Sequence, residues 1–185
     1  YHLINARNNG ITKEEMAEII THAAFYAGWP NAWAVFDLAK EVYADDEQKG
    51  NHGGIFGMGV PNVNFAQYFI GNSYLKPLTN PNETKVFIAN VTFEPGCRNN
   101  WHIHKATEGG GQILICVEGE GWYQEEGKEP QSLKVGDVVT IPANVKHWHG
   151  AKKDKWFSHI AVEVPGENTS NEWCEKVTDE EYDKL

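Results

Sequence analysis

The sequence predicts a mainly β domain, folded as a sandwich or barrel, that follows an α-helical hairpin. Three observations support this fold class: apolar residues at helical spacing near the start, a charged and Gly-rich stretch after them, and then short apolar or β-branched segments separated by turn residues. The 185 residues, 41% of them hydrophobic, suffice to bury a core in one large domain or two small ones.

The helical part contains clear start and stop signals. Thr12 and Glu15 form a capping box, Gly28 marks a helix end and Pro30 can open the next helix. Residues 1–7 are expected to form the end of an earlier helix. Helical spacing predicts one apolar face in each helix, made of Met16, Ile19, Ile20, Ala23 and Ala24 in the first and Ala34, Val35, Leu38, Ala39 and Val42 in the second.

Composition changes along the chain predict four regions. They are a helical segment over residues 1–46, a linker over 47–63, a β domain over 64–177 and a tail over 178–185, where Thr178 and Glu181 could cap a short helix. Strands are predicted over residues 85–93, 112–117, 121–124, 138–141 and 157–164, with turn residues between them.

The charge and composition narrow the range of partners. A net charge of -10, from 26 acidic and 16 basic residues, argues against nucleic acid or anionic lipid and favours a small-molecule substrate. No apolar run approaches the roughly 20 residues that span a bilayer. The three cysteines are an odd number at wide spacing, which predicts no disulfide framework and a reducing, cytoplasmic location.

Histidines cluster in the β domain. Five of the eight lie between positions 102 and 159, and four of these form two H-x-H pairs, His102/His104 and His147/His149. Residues two apart on a strand point to the same face, so each pair can direct two imidazoles into one cavity. Paired imidazoles suit a borderline divalent metal, which makes both pairs candidate ligands.

The segments around these histidines resemble the two short motifs of the cupin superfamily. The resemblance implies a jelly-roll-like β-barrel that holds a divalent ion such as Mn, Fe, Zn or Ni, with His102, His104 and His147 as ligands. Asn144 replaces the second glycine of the second motif, and Asn tolerates the left-handed backbone that such a turn can require. The other matching positions are Gly96, His102, His104 and Gly119 in the first motif and Gly136, Pro142 and His147 in the second.

The fourth ligand of the resembled family has two candidate positions here. Counting forward from His104 reaches Glu108, whereas counting back from Gly119 reaches Gln112, because about four residues are inserted before the 109–111 glycine triplet. Gln112 is favoured, since it opens a predicted strand and since some cupins use Gln there. Glu108 remains the alternative, as a ligand or a catalytic group, because its charge suits a hard cation.

Two further histidines and several aromatic residues lie near the motifs. His149 is expected either to act in the cavity as an acid or base or to face the opposite rim, and His159 to be a hydrogen-bonded core residue. Aromatic side chains suit an apolar pocket for a planar or cyclic molecule, although most are expected to be core. They are Trp101, Trp122, Tyr123, Trp148, Trp156 and Phe157.

Residues 10–32 resemble the second half of the carboxymuconolactone decarboxylase family, which is all-helical, and the likeness extends over about 45 residues. The upstream helices of that family are absent, so we expect a longer natural chain. The C-x-x-C pair of its peroxidase members is absent too, which argues against peroxidase chemistry. His22 is the one titratable residue of the matched run that could act as a base, and its alternative role is packing in an oligomer interface.

Three functions follow from these features. The first is a lyase in which a decarboxylase-like helical segment is fused to a metal cupin that acts on a small carboxylated or cyclic metabolite, as in aromatic-compound metabolism. The second is a metal-dependent cupin dioxygenase or isomerase whose helices serve assembly. The third is a non-enzymatic small-molecule binding module. A homo-oligomer is expected, because the apolar face of an incomplete hairpin must be covered.

Overall fold

The computed structural model describes residues 2–43, 52–80 and 82–185, which belong to two compact units. We call Tyr1–Asn51 the helical unit and His52–Leu185 the barrel unit. Each has its own buried core. None of the helices in the described ranges is long and apolar enough to cross a membrane.

The helical unit consists of α1 (His2–Asn8), α2 (Lys13–Ala27) and α3 (Trp29–Val42). The predicted capping box is present, with the Glu15 amide donating to the Thr12 hydroxyl and the Thr12 amide donating to the Glu15 carboxylate. Gly28, at φ 82°, ends α2, and Pro30 lies in the first turn of α3. The capping residues therefore predicted correctly where α2 begins and where α2 gives way to α3.

The predicted apolar faces of α2 and α3 are only partly buried. Met16, Ile20 and Ala24 enter the core of the helical unit, whereas Ile19 is 52% and Leu38 54% exposed. A helix in a small bundle buries only the stripe that faces its neighbours, so a wider apolar face extends beyond that contact.

The barrel unit is a curled, mainly antiparallel sheet followed by a short helix, α4 (Asp179–Tyr182). The strands β7 and β13 pair with each other apart from the main sheet. In chain order the strands are β1 (Val60–Pro61), β2 (Phe69–Ile70), β3 (Ser73–Pro77), β4 (Phe87–Phe93), β5 (Arg98–Asn99), β6 (His102–Lys105), β7 (Glu108–Gly109), β8 (Gln112–Glu125), β9 (Gln131–Lys134), β10 (Val138–Ile141), β11 (Lys146–Ala151), β12 (Phe157–Glu163), β13 (Gly166–Glu167) and β14 (Ser170–Trp173).

The long strand β8 joins the two sides of the barrel. Its first half pairs with β10 and β12, and its second half pairs with β9 and β11. Between the halves lies Gly119, at φ 68°, where a Cβ would come within 1.8 Å of the Trp156 carbonyl oxygen. The sequence predicted two strands here, 112–117 and 121–124, with a turn between them. That turn is wrong, because Gly119 bends one continuous strand and does not end it.

The second half of the predicted linker is also part of the barrel unit. Strand β1 pairs with β3, and the buried side-chain amide of Asn90 donates to the carbonyl oxygens of Gly53 and Gly57 at 2.8 and 2.9 Å. These contacts correct the linker prediction from His52 onward. Residues 47–51 of that prediction lie outside the described residues.

The main barrel core is built from buried side chains of several strands, including Phe93, Leu114, Tyr123, Leu133 and Phe157. A second cluster of Trp101, Trp148, Val177 and Tyr182 holds the C-terminal segment against the sheet. The predicted Thr178–Glu181 capping box opens α4.

Candidate metal centre

Three histidines meet where β6 and β11 run side by side. His102 and His147 are directly opposite each other in this antiparallel pair, and His104 lies two residues further along β6. Their candidate ligand atoms all lie within 4.8 Å of one another. We call His102, His104 and His147 the histidine triad, and it could hold a metal ion.

Backbone carbonyl groups fix the ring orientation of two triad members. Nδ1 of His102 is 2.9 Å from the Asn100 carbonyl oxygen, and Nδ1 of His147 is 3.0 Å from that of Val145. In each ring Nδ1–H donates, so the lone pair is on Nε2. This is the tautomer in which a histidine binds a metal through Nε2.

Burial keeps the imidazoles of His102 and His147 neutral. It lowers the pKa of His102 well below its usual value, and the neighbouring His147 and His104 add to the effect. Burial likewise lowers the pKa of His147 to about 4. Uncharged rings with available lone pairs are the form that a metal requires.

Gln112 lies with the triad, whereas Glu108 does not. Gln112 opens β8, is buried, and lines the same cavity as His102 and His104. Its Oε1 has no hydrogen-bond partner among the described residues. Glu108 is exposed in β7, opposite Glu167, and belongs neither to the triad nor to the cavity wall.

Asn144 ties the two histidine strands together. Its backbone has φ 67°, the left-handed conformation that the motif comparison anticipated. Its backbone N–H donates to the His104 carbonyl oxygen at 2.8 Å, and its side-chain Nδ2 donates to the Ala106 carbonyl oxygen at 2.9 Å. The turn that leads into β11 is thereby anchored to the end of β6.

Glu163, at the end of β12, is a member of the site that sequence reasoning missed. Its Oε1 accepts a hydrogen bond from Nε2 of Gln112 at 2.7 Å, and its Oε2 is 3.1 Å from Nδ1 of His104. The available signal was the one acidic residue of β12, which stands at the end of this strand.

His149 and His159 form a second buried histidine pair in the cavity wall, with ring centroids 4.8 Å apart. Nδ2 of Asn99 lies 3.0 Å from Nε2 and 3.3 Å from Nδ1 of His149. Neither ring nitrogen of His159 has a hydrogen bond of normal geometry within the described part of the chain, although the Ile160 backbone lies near enough to act on the ring. Burial lowers the pKa of both residues, to about 4 in His159. His159 is fully buried against Phe93 and Phe157, as expected of a core residue, and it also lines the cavity.

The cavity has a volume of about 650 Å³. Most of its wall is apolar, and its polar groups include His102, His104 and Gln112. This combination is typical of sites for small molecules. Its apolar wall includes Phe65, Phe69, Leu75, Phe87, Val91 and Trp173.

The aromatic residues named from the sequence are not those of the cavity wall. Trp101 and Trp148 pack with α4, and Tyr123 and Phe157 lie in the main core, as the core interpretation expected. His22 lies exposed on α2 of the helical unit, beside Tyr26.

The triad and Gln112 pass a direct test of fit to a metal ion. Nε2 of His104, Nε2 of His147 and Oε1 of Gln112 are all buried, and no described group hydrogen-bonds to any of them. A buried polar atom left unpaired costs about 1–3 kcal/mol, and a divalent cation would satisfy all three. The fold is a small β-barrel, and the site offers buried donor atoms that could hold a metal ion.

Comparison with known proteins places the chain. The cupin domain model matches residues 89–162, and the carboxymuconolactone decarboxylase family model matches residues 1–41. A cupin-like protein of known structure from Thermotoga maritima is 42% identical, covers 70% of this chain and 95% of its own, and superposes with a TM-score of 0.63. This protein belongs to the cupin family.

Two curated relatives match different parts of the chain. The (R)-mandelonitrile lyase of Granulicella tundricola is 40% identical over 118 residues, which are 63% of this chain and 87% of that enzyme. The 4-carboxymuconolactone decarboxylase of Acinetobacter baylyi is 46% identical over 44 residues. Those are 24% of this chain, and the chain spans only about a third of that decarboxylase.

Proposed function

We propose that this protein is a metal-dependent cupin lyase that breaks or forms a carbon–carbon bond at an oxygen-bearing carbon of a small aromatic substrate. The observation that carries it is the histidine triad, two members of which line an apolar cavity together with Gln112. The substrate class comes from the relative named (R)-mandelonitrile lyase, to which this chain is similar over most of that enzyme's length. An aromatic cyanohydrin is therefore the first substrate to test.

The proposed ligands are His102, His104, His147 and Gln112. Three imidazoles and an amide oxygen carry no net charge, which suits Mn, Fe, Zn or Ni. When bound, such an ion supplies a Lewis acid that stabilises negative charge developing on a substrate oxygen.

The apolar wall would hold the substrate. Phe65, Phe69 and Phe87 line the cavity, and their faces and edges can pack against an aryl ring. A volume of about 650 Å³ lies within the usual range for small-molecule sites. Packing the ring on this side directs the polar carbon of the substrate toward the triad.

Cleavage of a cyanohydrin requires a proton acceptor. The bond between the carbinol and nitrile carbons breaks, its electron pair leaves with the nitrile carbon, and the hydroxyl proton passes to a base as the aldehyde forms. Both His149 and His159 are uncharged and line the cavity. The base then returns the proton to cyanide.

The contacts favour His159 as this base. The side-chain N–H of Asn99 can donate only to a ring nitrogen that carries no proton, so it occupies the lone pair of His149. His149 is left with an N–H, which can donate to the substrate. No described side chain occupies the lone pair of His159. The catalytic role predicted for His149 is thereby refined to that of a hydrogen-bond donor.

Metal analysis and an aldehyde-release assay test the proposal together. Protein refed with Mn, Fe, Zn or Ni should retain close to one equivalent of one ion and release benzaldehyde from mandelonitrile. His147→Ala should lose both properties. His22→Ala, which removes a histidine from the helical unit, should lose neither.

Two results would contradict the proposal. Less than about a tenth of an equivalent of any metal after refeeding would remove its basis. Oxygen consumption with catechols or enols, without aldehyde release, would favour the dioxygenase alternative. The decarboxylase role of His22 stays a prediction, for which carbon dioxide release from a lactone acid is the assay.

A further inference from the structure

We propose that Glu163 is a positioning residue that determines which atoms His104 and Gln112 present to the metal. The inference rests on the proposed metal site and concerns a residue outside the ligand set.

The placement of Glu163 follows from strand register. Glu163 and Gln112 are direct partners in the antiparallel β12–β8 pair, so their side chains project from the same face of the sheet. The two carboxylate oxygens divide between two ligands: Oε1 is 2.7 Å from Nε2 of Gln112, and Oε2 is 3.1 Å from Nδ1 of His104. One carboxylate thus contacts half of the proposed ligand set.

The contact with Gln112 selects the oxygen of its amide as the ligand. A carboxylate can only accept hydrogen bonds, so the NH₂ group of Gln112 must face Glu163. Oε1 then points away from Glu163 and is the buried atom that has no partner in the described ranges. If the amide flipped, its NH₂ would face the metal, and an amide nitrogen is a poor ligand.

The contact with His104 selects its tautomer. The carboxylate lies 3.1 Å from Nδ1 of His104 but without the geometry of a hydrogen bond, so it acts through its charge: it favours the proton on Nδ1 and leaves the lone pair on Nε2. The other two triad members obtain the same tautomer from the backbone carbonyl groups of Asn100 and Val145. His104 is the one triad member that depends on a side chain for it, and a side chain can be exchanged by mutation.

Glu163 also supplies charge that the ligands lack. The four proposed ligands bring no negative charge to the metal. The carboxylate of Glu163 does not bind the metal itself but contacts two of these ligands, Gln112 and His104. Its side chain is 33% exposed, so it keeps part of its hydration. The site therefore combines neutral ligands with a negative charge directly behind them, which favours a divalent cation.

Exchange of Glu163→Gln is the sharpest single test. A glutamine has one acceptor oxygen where glutamate has two, so it can hold His104 or Gln112 in the ligating form but not both. Metal affinity, measured by competition with a chelator, should fall about 10- to 100-fold, the range seen when partners of metal ligands are lost. The matched control is Glu167→Gln, which removes an exposed carboxylate from β13 and should leave affinity unchanged.

The swapped double variant Glu163→Gln with Gln112→Glu separates positioning from mere packing. It returns one carboxylate and one amide to the pair with their order reversed, so the residue at 112 again presents oxygen to the metal. Affinity should recover toward the wild-type value. The absorption spectrum of the Co²⁺-loaded protein should change in Glu163→Gln and move again in the double variant, because each exchange alters the ligand atoms.

The outcomes distinguish this inference from the proposed function. If wild-type protein binds no metal, both fail. If wild-type protein binds metal and Glu163→Gln binds it equally, with an unchanged Co²⁺ spectrum, only the role of Glu163 is wrong. Should Glu163→Gln fail to fold, the double variant decides alone: a metal affinity and spectrum with carboxylate ligation support the inference, and loss of binding overturns it.

Discussion

The two H-x-H strands lie side by side but use their histidines differently. On β6, both His102 and His104 join the triad. On β11, His147 joins the triad, whereas His149, two residues further along the strand, lies beside Asn99 and His159. The same spacing thus gives two triad members on one strand, and one triad member plus a second cavity residue on the other. Spacing along a strand decides on which face a side chain lies, and strand register decides which residues it contacts on that face.

The strongest test of this difference exchanges one histidine of β11 at a time. His147→Ala should weaken metal binding by more than about a hundredfold, beyond the range for outer partners of a ligand. His149→Ala should keep close to wild-type metal affinity and lose lyase activity. Isothermal titration with the metal alone measures the first effect. Equal metal loss in both variants would show that β11 contributes two ligands, as β6 does.

A second test concerns the cavity pair beyond the triad. His159→Phe keeps an aromatic ring in the core but removes the proposed base, so kcat should fall about 10²- to 10⁴-fold. Metal content should stay at the wild-type level. His22→Ala serves as the control for loss of a histidine. Unchanged kcat in His159→Phe would return the role of base to His149.

A third and smaller effect is expected at Asn144, which links the two strands. Asn144→Ala loses the side-chain hydrogen bond to Ala106 and places Ala at φ 67°, so the free energy of unfolding should fall by about 2 kcal/mol. Asn144→Gly removes the same hydrogen bond without the left-handed strain and should lose less. Urea unfolding monitored by fluorescence compares them. Equal losses would mean that the backbone conformation contributes nothing.

The smallest expected effect concerns Glu118 and its contact with His52. His52 is partly exposed, unlike the buried histidines of β6 and β11. Its ring stacks on Trp156 and its Nδ1 contacts Glu118. Burial of Glu118 acts to raise its pKa, but the hydrogen bonds from His52 and from the Gly54 and Gly53 amides outweigh burial and lower it.

The sign of the pH effect follows from this lowered pKa. Because the folded value lies below the unfolded one, the ionised carboxylate stabilises the protein above the usual Glu range, and this contribution is lost as pH falls through the folded pKa. Glu118→Gln should therefore lower the free energy of unfolding at pH 7 by about 1 kcal/mol and by less near pH 4. A difference that grows toward acid pH would reverse the assignment.

The sequence predicted the triad because its information is local. Two H-x-H pairs and a glycine at the bend of β8 are readable without any structure, and counting back from Gly119 led to Gln112. Glu163 was missed because its role depends on the β12–β8 register, which brings together residues about 50 positions apart. His159 is buried as expected, but its place in the cavity wall was not predicted, because the sequence of a strand does not tell a packed core face from a cavity wall.

The helical unit shows a related limit. The capping residues predicted where its helices begin and end. The apolar pattern predicted more buried side chains than the structure has, since Ile19 and Leu38 are largely exposed. How far a stripe is covered depends on neighbours that the pattern does not identify. The homo-oligomer and the cytoplasmic location stay predictions.

The inserted segment before Gln112 has a consequence for substrate choice. It forms β7, which pairs with β13 as a ribbon separate from the main sheet, and its glycine triplet runs at φ 62°, 73° and 92°. Gly111, Pro165 and Gly166 of this region line the cavity, and the ribbon residues are exposed. In the proposed function, this part of the cavity wall and the strands of the histidine triad are thus separate pieces of the chain. Such a division lets the ribbon be reshaped, by mutation or over evolutionary time, while β6 and β11 keep their register.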